Sequence, residues 1–285
     1  LSEPTYPFIN FIRLRMEMVK KIGLMVFVAA TAALFFSLMT PSAATSQQAA
    51  VEERSNIDKE VLEILQKATD YVSSLTHFFL KVYKTTDVVQ KSGQKLQFSS
   101  SFEVSLKRPD RIFASQTDDD GIRHYFWYDG KSATMYDEGK KVYGQIRVPE
   151  TIDDMLDYLE TVMEFPFPLA DLFYNDLSHL SDSPLSGKFV DVSYLEGVAC
   201  DHLAFRGESV DWQLWVDRGE QPLFRKIVLT YKELPGEPQI SARLQEWDIQ
   251  PSLSETMFEF SVPEGARRIQ VLGSKRPNPQ KRGDQ

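Results

Sequence analysis

Cysteine is nearly absent from this chain, in which Cys200 is the single example among 285 residues. A lone cysteine excludes a disulfide framework and paired thiols for a structural zinc site. The sequence also lacks G-x-S-x-G, H-E-x-x-H, C-x-x-C and a glycine-rich phosphate loop before a helix. We therefore expect a non-catalytic protein without metal or cofactor, stabilised by its hydrophobic core alone.

Basic residues are also fewer than acidic ones. The chain has 32 basic against 41 acidic residues, a net charge of −9. Such a balance argues against nucleic acid as a partner and offers no basic patch for an anionic membrane surface. Hydrophobic residues make up 42% of the chain and aromatic residues 12%, which is enough for one sizeable core or two small ones.

One long uncharged apolar run is present, at residues 22–39. It follows Lys20-Lys21 and precedes the small residues of the stretch 41–44. This order is typical of a secretory signal peptide cleaved after residue 44, and an uncleaved membrane anchor is the alternative. Met16 or Met18 is favoured as the true start, so that residues 1–15 are interpreted as an error in the assigned gene start.

The rest of the chain is predicted to be one domain. Residues 45–54 are polar and are expected to form a flexible lead-in, residues 55–272 the domain, and residues 273–285 a disordered basic tail. A helix is predicted from Ser55, because apolar residues recur at three- and four-residue spacing up to Leu75.

After this helix the apolar period changes to two, which predicts strands joined by short glycine, proline and aspartate turns. The predicted strands are residues 77–89, 94–107, 111–117, 122–128, 132–136, 141–148, 189–194, 198–206, 211–217, 223–231, 239–249 and 266–272. Connections this short make neighbouring strands antiparallel. The predicted fold class is α+β: a strongly curved antiparallel sheet of about eleven strands, a half-barrel whose concave face is covered by helices.

Residues 150–174, here called the lid, separate the two blocks of strands and are unusually apolar. An amphipathic helical stripe is followed by Phe165-Pro166-Phe167-Pro168, where the prolines end the helix while the apolar character continues. Met and Phe surfaces adapt to variable apolar guests, although packing as ordinary core is the alternative. The predicted ligand-binding residues are Met155, Leu156, Leu159, Met163, Phe165, Phe167, Leu172, Phe173, Phe102 and Trp212.

Other candidate sites are weaker. Cys200 and His202 are two residues apart on a predicted strand and share a face, so a Cys–His nucleophile is conceivable, but a buried structural thiol is favoured. Trp212 and Trp215 are three apart and face opposite sides, so one should line the concave face. The four histidines are scattered over different elements, and nothing in their spacing indicates a metal site.

Several motifs are similar to those of a known family. They are Tyr128-Asp129-Gly130, Gly197 with Cys200-Asp201-His202-Leu203-Ala204-Phe205-Arg206, Asp211-Trp212-Gln213-Leu214-Trp215 and Phe258-Glu259-Phe260-Ser261-Val262-Pro263-Glu264-Gly265-Ala266. Over residues 55–272 the chain resembles the DUF2092 family of predicted periplasmic proteins. The element order and Lys107-Arg108-Pro109 resemble, at the level of fold, the LolA/LolB/RseB-like lipoprotein carriers.

The resemblance implies a periplasmic half-barrel that holds a lipid or lipoprotein acyl chain under its lid. Lipoproteins or an envelope protein are then further candidate partners, and the protein is expected to be a monomer that meets the membrane only during export. Carriers of this fold also have a cavity arginine that latches the lid. This sequence departs from that pattern, since no arginine aligns with the role; Arg206 and Arg225 are considered only because they lie on strands with apolar neighbours. The alternative is an RseB-like protein-interaction or sensor domain whose lid is permanent core.

Overall fold

Alternation of buried and exposed side chains continues through most of the chain and builds one large sheet. In the first long strand Phe78, Leu80 and Val82 are fully buried, whereas the residues between them are partly exposed. Successive side chains of a strand point to opposite faces, so one face of the sheet becomes apolar. The computed structural model describes residues 56–165, 167, 169–177, 180 and 184–271. The predicted signal peptide, lead-in and basic tail lie outside these residues.

Thirteen strands occur in the described part of the chain. They are β1 (Asn56–Ile57), β2 (His77–Val89), β3 (Lys95–Lys107), β4 (Arg111–Asp118), β5 (Arg123–Tyr128), β6 (Ser132–Asp137), β7 (Val142–Arg147), β8 (Ser186–Leu195), β9 (Val198–Arg206), β10 (Val210–Asp217), β11 (Phe224–Tyr231), β12 (Gln239–Asp248) and β13 (Arg267–Arg268). The predicted α+β class with a large curved sheet is confirmed, and the sheet is open.

The strand order is β1-β8-β9-β10-β11-β12-β2-β3-β4-β5-β6-β7-β13. All neighbours from β8 to β7 in this order are antiparallel. This is expected for the pairs joined by short connections, whereas β12 and β2 are far apart in the sequence. The two short edge strands differ from the prediction, because β1 pairs with β8 and β13 with β7 in parallel. Neither edge strand is joined to its neighbour by a hairpin turn, so nothing in the connection imposes the antiparallel direction.

Two α-helices lie among the described residues. Helix α1 (Lys59–Ser74) begins after Asp58, later than predicted, because residues 56–57 join the edge of the sheet as β1. Helix α2 (Ile152–Thr161) forms the first part of the lid, and the Thr151 hydroxyl caps it by accepting the N–H of Asp154 at 3.2 Å. Short 3-10 turns follow at residues 170–172 and 255–258.

The main core lies between the helices and one face of the sheet, here called the inner face. Helix α1 packs on the half of the sheet that contains β8 and β10. The opposite, outer face carries a small buried cluster of Cys200, Trp215 and Val228. On the other half of the outer face, Phe260 packs against Trp127, with 5.1 Å between ring centroids. The inner face is therefore the large apolar surface of the fold.

Candidate ligand-binding site under the lid

The path of the chain puts the lid on the inner face. Strands β7 and β8 are consecutive in sequence but lie at opposite ends of the long antiparallel run of the sheet. Residues 148–185 must therefore cross the whole sheet to connect them. Because the apolar residues of this connection need burial, it crosses on the apolar side, where its described side chains join the main core.

The structure brings the predicted ligand-binding residues into one hydrophobic cluster. Seven of them are at most 5% exposed, and the other three are partly buried against the same cluster. The buried seven are Met155, Leu156, Leu159, Phe167, Leu172, Phe173 and Phe102, and the partly buried three are Met163, Phe165 and Trp212. Their role in ligand binding stays a prediction.

Phe167 forms the centre of the contact between lid and sheet. Its ring lies 4.9 Å from that of Phe126 on β5 and 6.1 Å from that of Phe102 on β3, in edge-to-face geometry. It also meets Phe173 of the returning lid at 5.8 Å. Phe167 stands between two residues with left-handed backbone, Glu164 (φ 51°) and Leu169 (φ 56°). The lid therefore turns sharply on both sides of an aromatic tip that is inserted into the core.

Trp212 lies apart from the lid residues. It is stacked on Phe205, with 3.9 Å between ring centroids, on the half of the sheet that α1 covers. It also borders a groove of about 380 Å³ together with Asp58, Arg206 and Asp211 among other residues. As predicted, Trp212 and Trp215 are on opposite faces, since Trp215 belongs to the outer cluster.

Arg108 fastens the lid to the sheet. It stands in the turn between β3 and β4, and its guanidinium donates hydrogen bonds to the carbonyl oxygens of Phe173 (2.7 Å) and Tyr174 (3.1 Å). Further bonds reach the carbonyl oxygen of Leu75 after α1 (3.0 Å) and the side-chain oxygen of Asn175 (2.9 Å). One planar donor group thus joins the turn, the end of α1 and the return of the lid.

Carboxylates of α2 complete this attachment. Asp153 accepts hydrogen bonds from the backbone N–H of Asn175 (3.0 Å) and from its side-chain amide (3.2 Å). The Tyr174 hydroxyl donates to Asp157 at 2.8 Å, and burial together with this carboxylate raises the pKa of Tyr174. Burial lowers the pKa of Arg108, and the Asp153 carboxylate opposes that shift. The guanidinium stays charged, because its ordinary pKa is so high.

The start of the lid is attached to the same turn. The N–H of Ile152, the first residue of α2, donates to the carbonyl oxygen of Pro109 at 2.8 Å. The hydroxyl of the buried Tyr128 on β5 donates to the carbonyl oxygen of Pro149 at 2.7 Å, just before the lid. Both the entry and the return of the lid are therefore held at the β3–β4 turn, while Phe167 forms its distal tip.

Sequence reasoning missed Arg108 and considered only Arg206 and Arg225 for holding the lid. Arg225 on β11 bonds Asp217 at 2.6 Å, and Arg206 on β9 is exposed. Both lie among strands β9–β11, whereas the lid tip packs on β3 and β5. Apolar neighbours in sequence do not reveal which face a side chain occupies. The available signal was the Lys107-Arg108-Pro109 motif, which places an arginine in a turn.

Cys200 lies in the buried cluster of the outer face, far from the lid in the strand order. Its side chain is 0% exposed, and burial raises the pKa of the thiol to about 11. His202 is stacked on Trp215 at 4.0 Å, and its Nε2 lies 2.9 Å from the side-chain oxygen of Gln213. A thiol with a raised pKa in a packed cluster is a poor nucleophile, which favours the structural interpretation.

An open curved sheet with one apolar face, crossed by a helical lid, defines a half-barrel fold. Within that class the chain belongs to the DUF2092 family of predicted periplasmic proteins, whose family model matches residues 62–272. The family resemblance of the sequence motifs is thereby confirmed. No curated protein sequence matches the chain.

Several solved structures are similar to the chain. The lipoprotein LppX of Mycobacterium tuberculosis is 12% identical with a TM-score of 0.39, over 69% of this chain and 100% of LppX. LprF of Mycobacterium bovis is 11% identical with a TM-score of 0.42, over 74% of this chain and 100% of LprF. A LolA-superfamily protein of Nitrosomonas europaea is 12% identical with a TM-score of 0.34, over 70% of this chain and 96% of that protein.

None of the helices formed by residues 56–271, outside the gaps given above, has the length and apolar character needed to cross a membrane. In that same part of the chain, no three or more His, Cys, Asp or Glu side chains are grouped so that they could hold a metal ion.

Proposed function

We propose that this chain is a non-catalytic periplasmic binding protein that holds an apolar guest, a lipid or a lipoprotein acyl chain, between the inner face and the lid. The observation that carries the proposal is where the lid is fastened. The hydrogen bonds described above hold its entry and its return at the β3–β4 turn, whereas its tip contacts the sheet through Phe167. Lifting such a tip breaks no pairing between strands.

The free energy gained by burying an acyl chain is large enough to offset the loss of the lid-tip contacts. Removing a buried phenylalanine from a core costs roughly 3–5 kcal/mol. An acyl chain of about fifteen methylenes gains on the order of 12 kcal/mol gross at ~0.8 kcal/mol for each, before ordering and association costs. A guest on the apolar floor of Phe102 and Phe126 therefore offsets the loss of the Phe167 contacts and needs no polar recognition to bind.

A second candidate function is favoured by the tight packing of the lid. Met155 and Phe173 are 0% exposed and Phe167 is 4% exposed, as in a permanent core. If the lid never opens, the protein is an interaction or sensor domain that binds an envelope protein with another surface. The two functions differ in what happens when the tip alone is made incompatible with the core.

Phe167→Asp tests the two functions, with Leu65→Asp in α1 as the matched control because Leu65 is 0% exposed. A buried unpaired carboxylate is strongly unfavourable, so Leu65→Asp is expected to unfold the protein. Under the proposed function, Phe167→Asp keeps its circular dichroism spectrum and cooperative unfolding because the tip swings out, and it binds a fluorescent fatty acid less well. Unfolding of both variants supports the second candidate.

The wild-type protein supplies the reference for this experiment. Native mass spectrometry of the purified mature chain is expected to detect a co-purifying lipid, and the protein is expected to take up a fluorescent fatty acid. Absence of both signals would overturn the proposed function, whatever the variants do.

A further inference from the structure

Strand β8 is the last long strand at one end of the sheet, and most of its outward edge is uncovered. It pairs with β9 from Ser186 to Leu195. On its other side β1 pairs only with Ser186 and Gly187, after which the chain turns away into α1. None of the described strands pairs there with residues 188–195, here called the open edge. At the opposite end of the sheet the part of β7 that β13 leaves uncovered is shorter, residues 144–147.

The hairpin between β8 and β9 shows which backbone groups of the open edge point away from β9. Its two turn residues, 196 and 197, have left-handed backbone (φ 52° and 86°), so the flanking Leu195 and Val198 form a hydrogen-bonded pair. In an antiparallel ladder the residues between such pairs direct their N–H and C=O groups to the other side. Val192 and Tyr194 therefore present backbone donors and acceptors outward, as the addition of a further strand requires.

The side chains of the open edge are unusually exposed for apolar residues. Tyr194 is 74% exposed and Val190 is 43% exposed. The register with β9 shifts between Phe189 and Asp191, which makes Val190 a bulge. Bulges and charged residues protect natural sheet edges from indiscriminate pairing. A strand that adds to this edge must therefore be recognised by its side chains as well as by its backbone.

The groove of about 380 Å³ lies next to the start of the open edge. Its centre is on the outer face, because Ala204 alternates along β9 with Leu203 and Phe205 of the main core. In cross-strand register Ala204 stands directly between Lys188 of β8 and Gln213 of β10. Directly opposite side chains are about 5 Å apart at Cβ, so the small alanine leaves a depression between two longer side chains.

The groove contains two cations without an ion-pair partner. Lys188 and Arg206 both line it, and neither forms an ion pair in the part of the chain that the structure describes. Two carboxylates also line the groove. Asp211 is neutralised by Lys232 at 2.9 Å, which leaves Asp58 beside β1 as the other negative charge. The groove is therefore net positive, although the whole chain has a net charge of −9.

Other parts of this chain do not suit the open edge. The parallel register of β1 leads backwards along the chain to positions before Ser186, away from the open edge. Residues 273–285 are basic, so they repel the cations of the groove. Two copies that share their open edges in full place their Asp191 side chains close together, and like charges on paired strands are unfavourable. These arguments favour a different protein as the occupant.

We propose that the open edge and the groove bind a partner protein through an extended acidic segment, which adds a strand to β8 and places a carboxylate between Lys188 and Arg206. Because β1 blocks an added strand at Gly187, the end of the segment turns into the groove. Backbone hydrogen bonds supply affinity, and charge-assisted bonds to the carboxylate select against neutral and basic segments. The inference is independent of the proposed function, since the inner face and the lid take no part in it.

The first test uses three fluorescent peptides of about ten alternating threonine and valine residues that end in two glutamates, two glutamines or two lysines. We expect the glutamate peptide to bind at least tenfold more tightly at low salt, measured by fluorescence anisotropy, with a smaller difference at high salt. Lys188→Gln and Arg206→Gln should each weaken the glutamate peptide threefold to tenfold. Lys81→Gln is the control, since Lys81 pairs with Glu103 on distant strands and should change nothing. Equal binding of the three peptides would overturn the proposal.

The second test separates strand addition from simple charge attraction. Val192→Pro removes the outward N–H, and proline is tolerated on an edge strand, whereas Val192→Ala shortens the side chain and keeps the N–H. We expect Val192→Pro to weaken the glutamate peptide at least tenfold and Val192→Ala to stay within twofold, with circular dichroism confirming that both fold. Equal binding by the two variants would overturn strand addition. If Val192→Pro does not fold, the glutamine variants of Lys188 and Arg206 decide the question.

Two further outcomes are distinguishable. Sedimentation of the peptide-free protein that shows a dimer, lost in Val192→Pro, would assign the open edge to a second copy and overturn the proposal. A wild-type protein that takes up a fluorescent fatty acid but binds none of the peptides would also overturn it and leave the proposed function intact.

Discussion

Helix α1 and the lid both cover the inner face, and their side chains are equally buried. Val61, Leu65 and Val72 of α1 are 0% exposed, and Met155 and Phe173 of the lid are as well. They differ in how the chain holds them. Helix α1 is a regular helix of 16 residues, with β1 at one end and the long strand β2 directly after the other.

The lid is a helix of 10 residues followed by an irregular return, in which Glu164 and Leu169 have left-handed backbone. Its hydrogen bonds to the sheet described above are made by side chains and loop carbonyls at the Arg108 turn. The degree of burial alone therefore does not show whether an element such as α1 or the lid is fixed on the sheet or able to move. The two elements differ in whether regular backbone structure continues at both of their ends, as it does for α1 and not for the lid. The following predictions test the consequences of that difference.

The largest effect is expected from a pair of truncations in the two covers. Leu65→Ala in α1 should lower the free energy of unfolding by about 3–4 kcal/mol, because a fixed helix cannot move to fill the cavity. Leu159→Ala in the lid, where the leucine is 3% exposed, should cost at least 1 kcal/mol less, because the lid can shift inward. Urea unfolding of both variants measures the difference. Equal losses would mean that the lid is as fixed as α1.

Most of the sheet could be predicted from the sequence. The bounds of β2 and β9 agree to the residue, because alternation of apolar and polar side chains is a local property of each strand. The order of the strands could not be predicted, since pairing of β12 with β2 joins residues far apart in the chain. The parallel edge strands of two residues are too short to leave a pattern.

The site was predictable in its apolar part and not in its polar part. Met155, Leu159 and Phe173 follow from spacing, whereas Arg108 acts on carbonyl oxygens about 65 residues away, which no sequence pattern records. The buried polar residues Lys84 and Ser100 of the sheet were missed for a related reason. The alternation of β2 runs on to Lys84, so a lysine stands at a buried position, but only the sheet register places it beside Ser100.

The second prediction concerns the anchor of the lid. Arg108→Gln leaves the carbonyl oxygens of Phe173 and Tyr174 without their donor, so we expect a loss of about 2 kcal/mol. Release of a bound fluorescent fatty acid should become several-fold faster, because the base of the lid is loosened. Stopped-flow displacement and urea unfolding provide the two readings.

Lys107→Gln is the control for this variant. Lys107 directly precedes Arg108 in the sequence and forms an exposed ion pair with Glu255. Loss of such a pair costs less than about 1 kcal/mol of stability. It should leave the release rate unchanged. An Arg108→Gln protein that loses stability but releases its guest at the wild-type rate would show that Arg108 is structural and has no part in opening.

The smallest effect is expected from Tyr174→Phe, which removes only the hydroxyl that donates to Asp157. The loss of stability should be about 1 kcal/mol, with Tyr194→Phe as a neutral control because Tyr194 is 74% exposed. If the lid opens independently, hydrogen exchange of amides in α2 should become faster while exchange in α1 is unchanged. Faster exchange in both helices would show that α1 and the lid unfold as one cooperative unit, so that the lid would not move independently of α1.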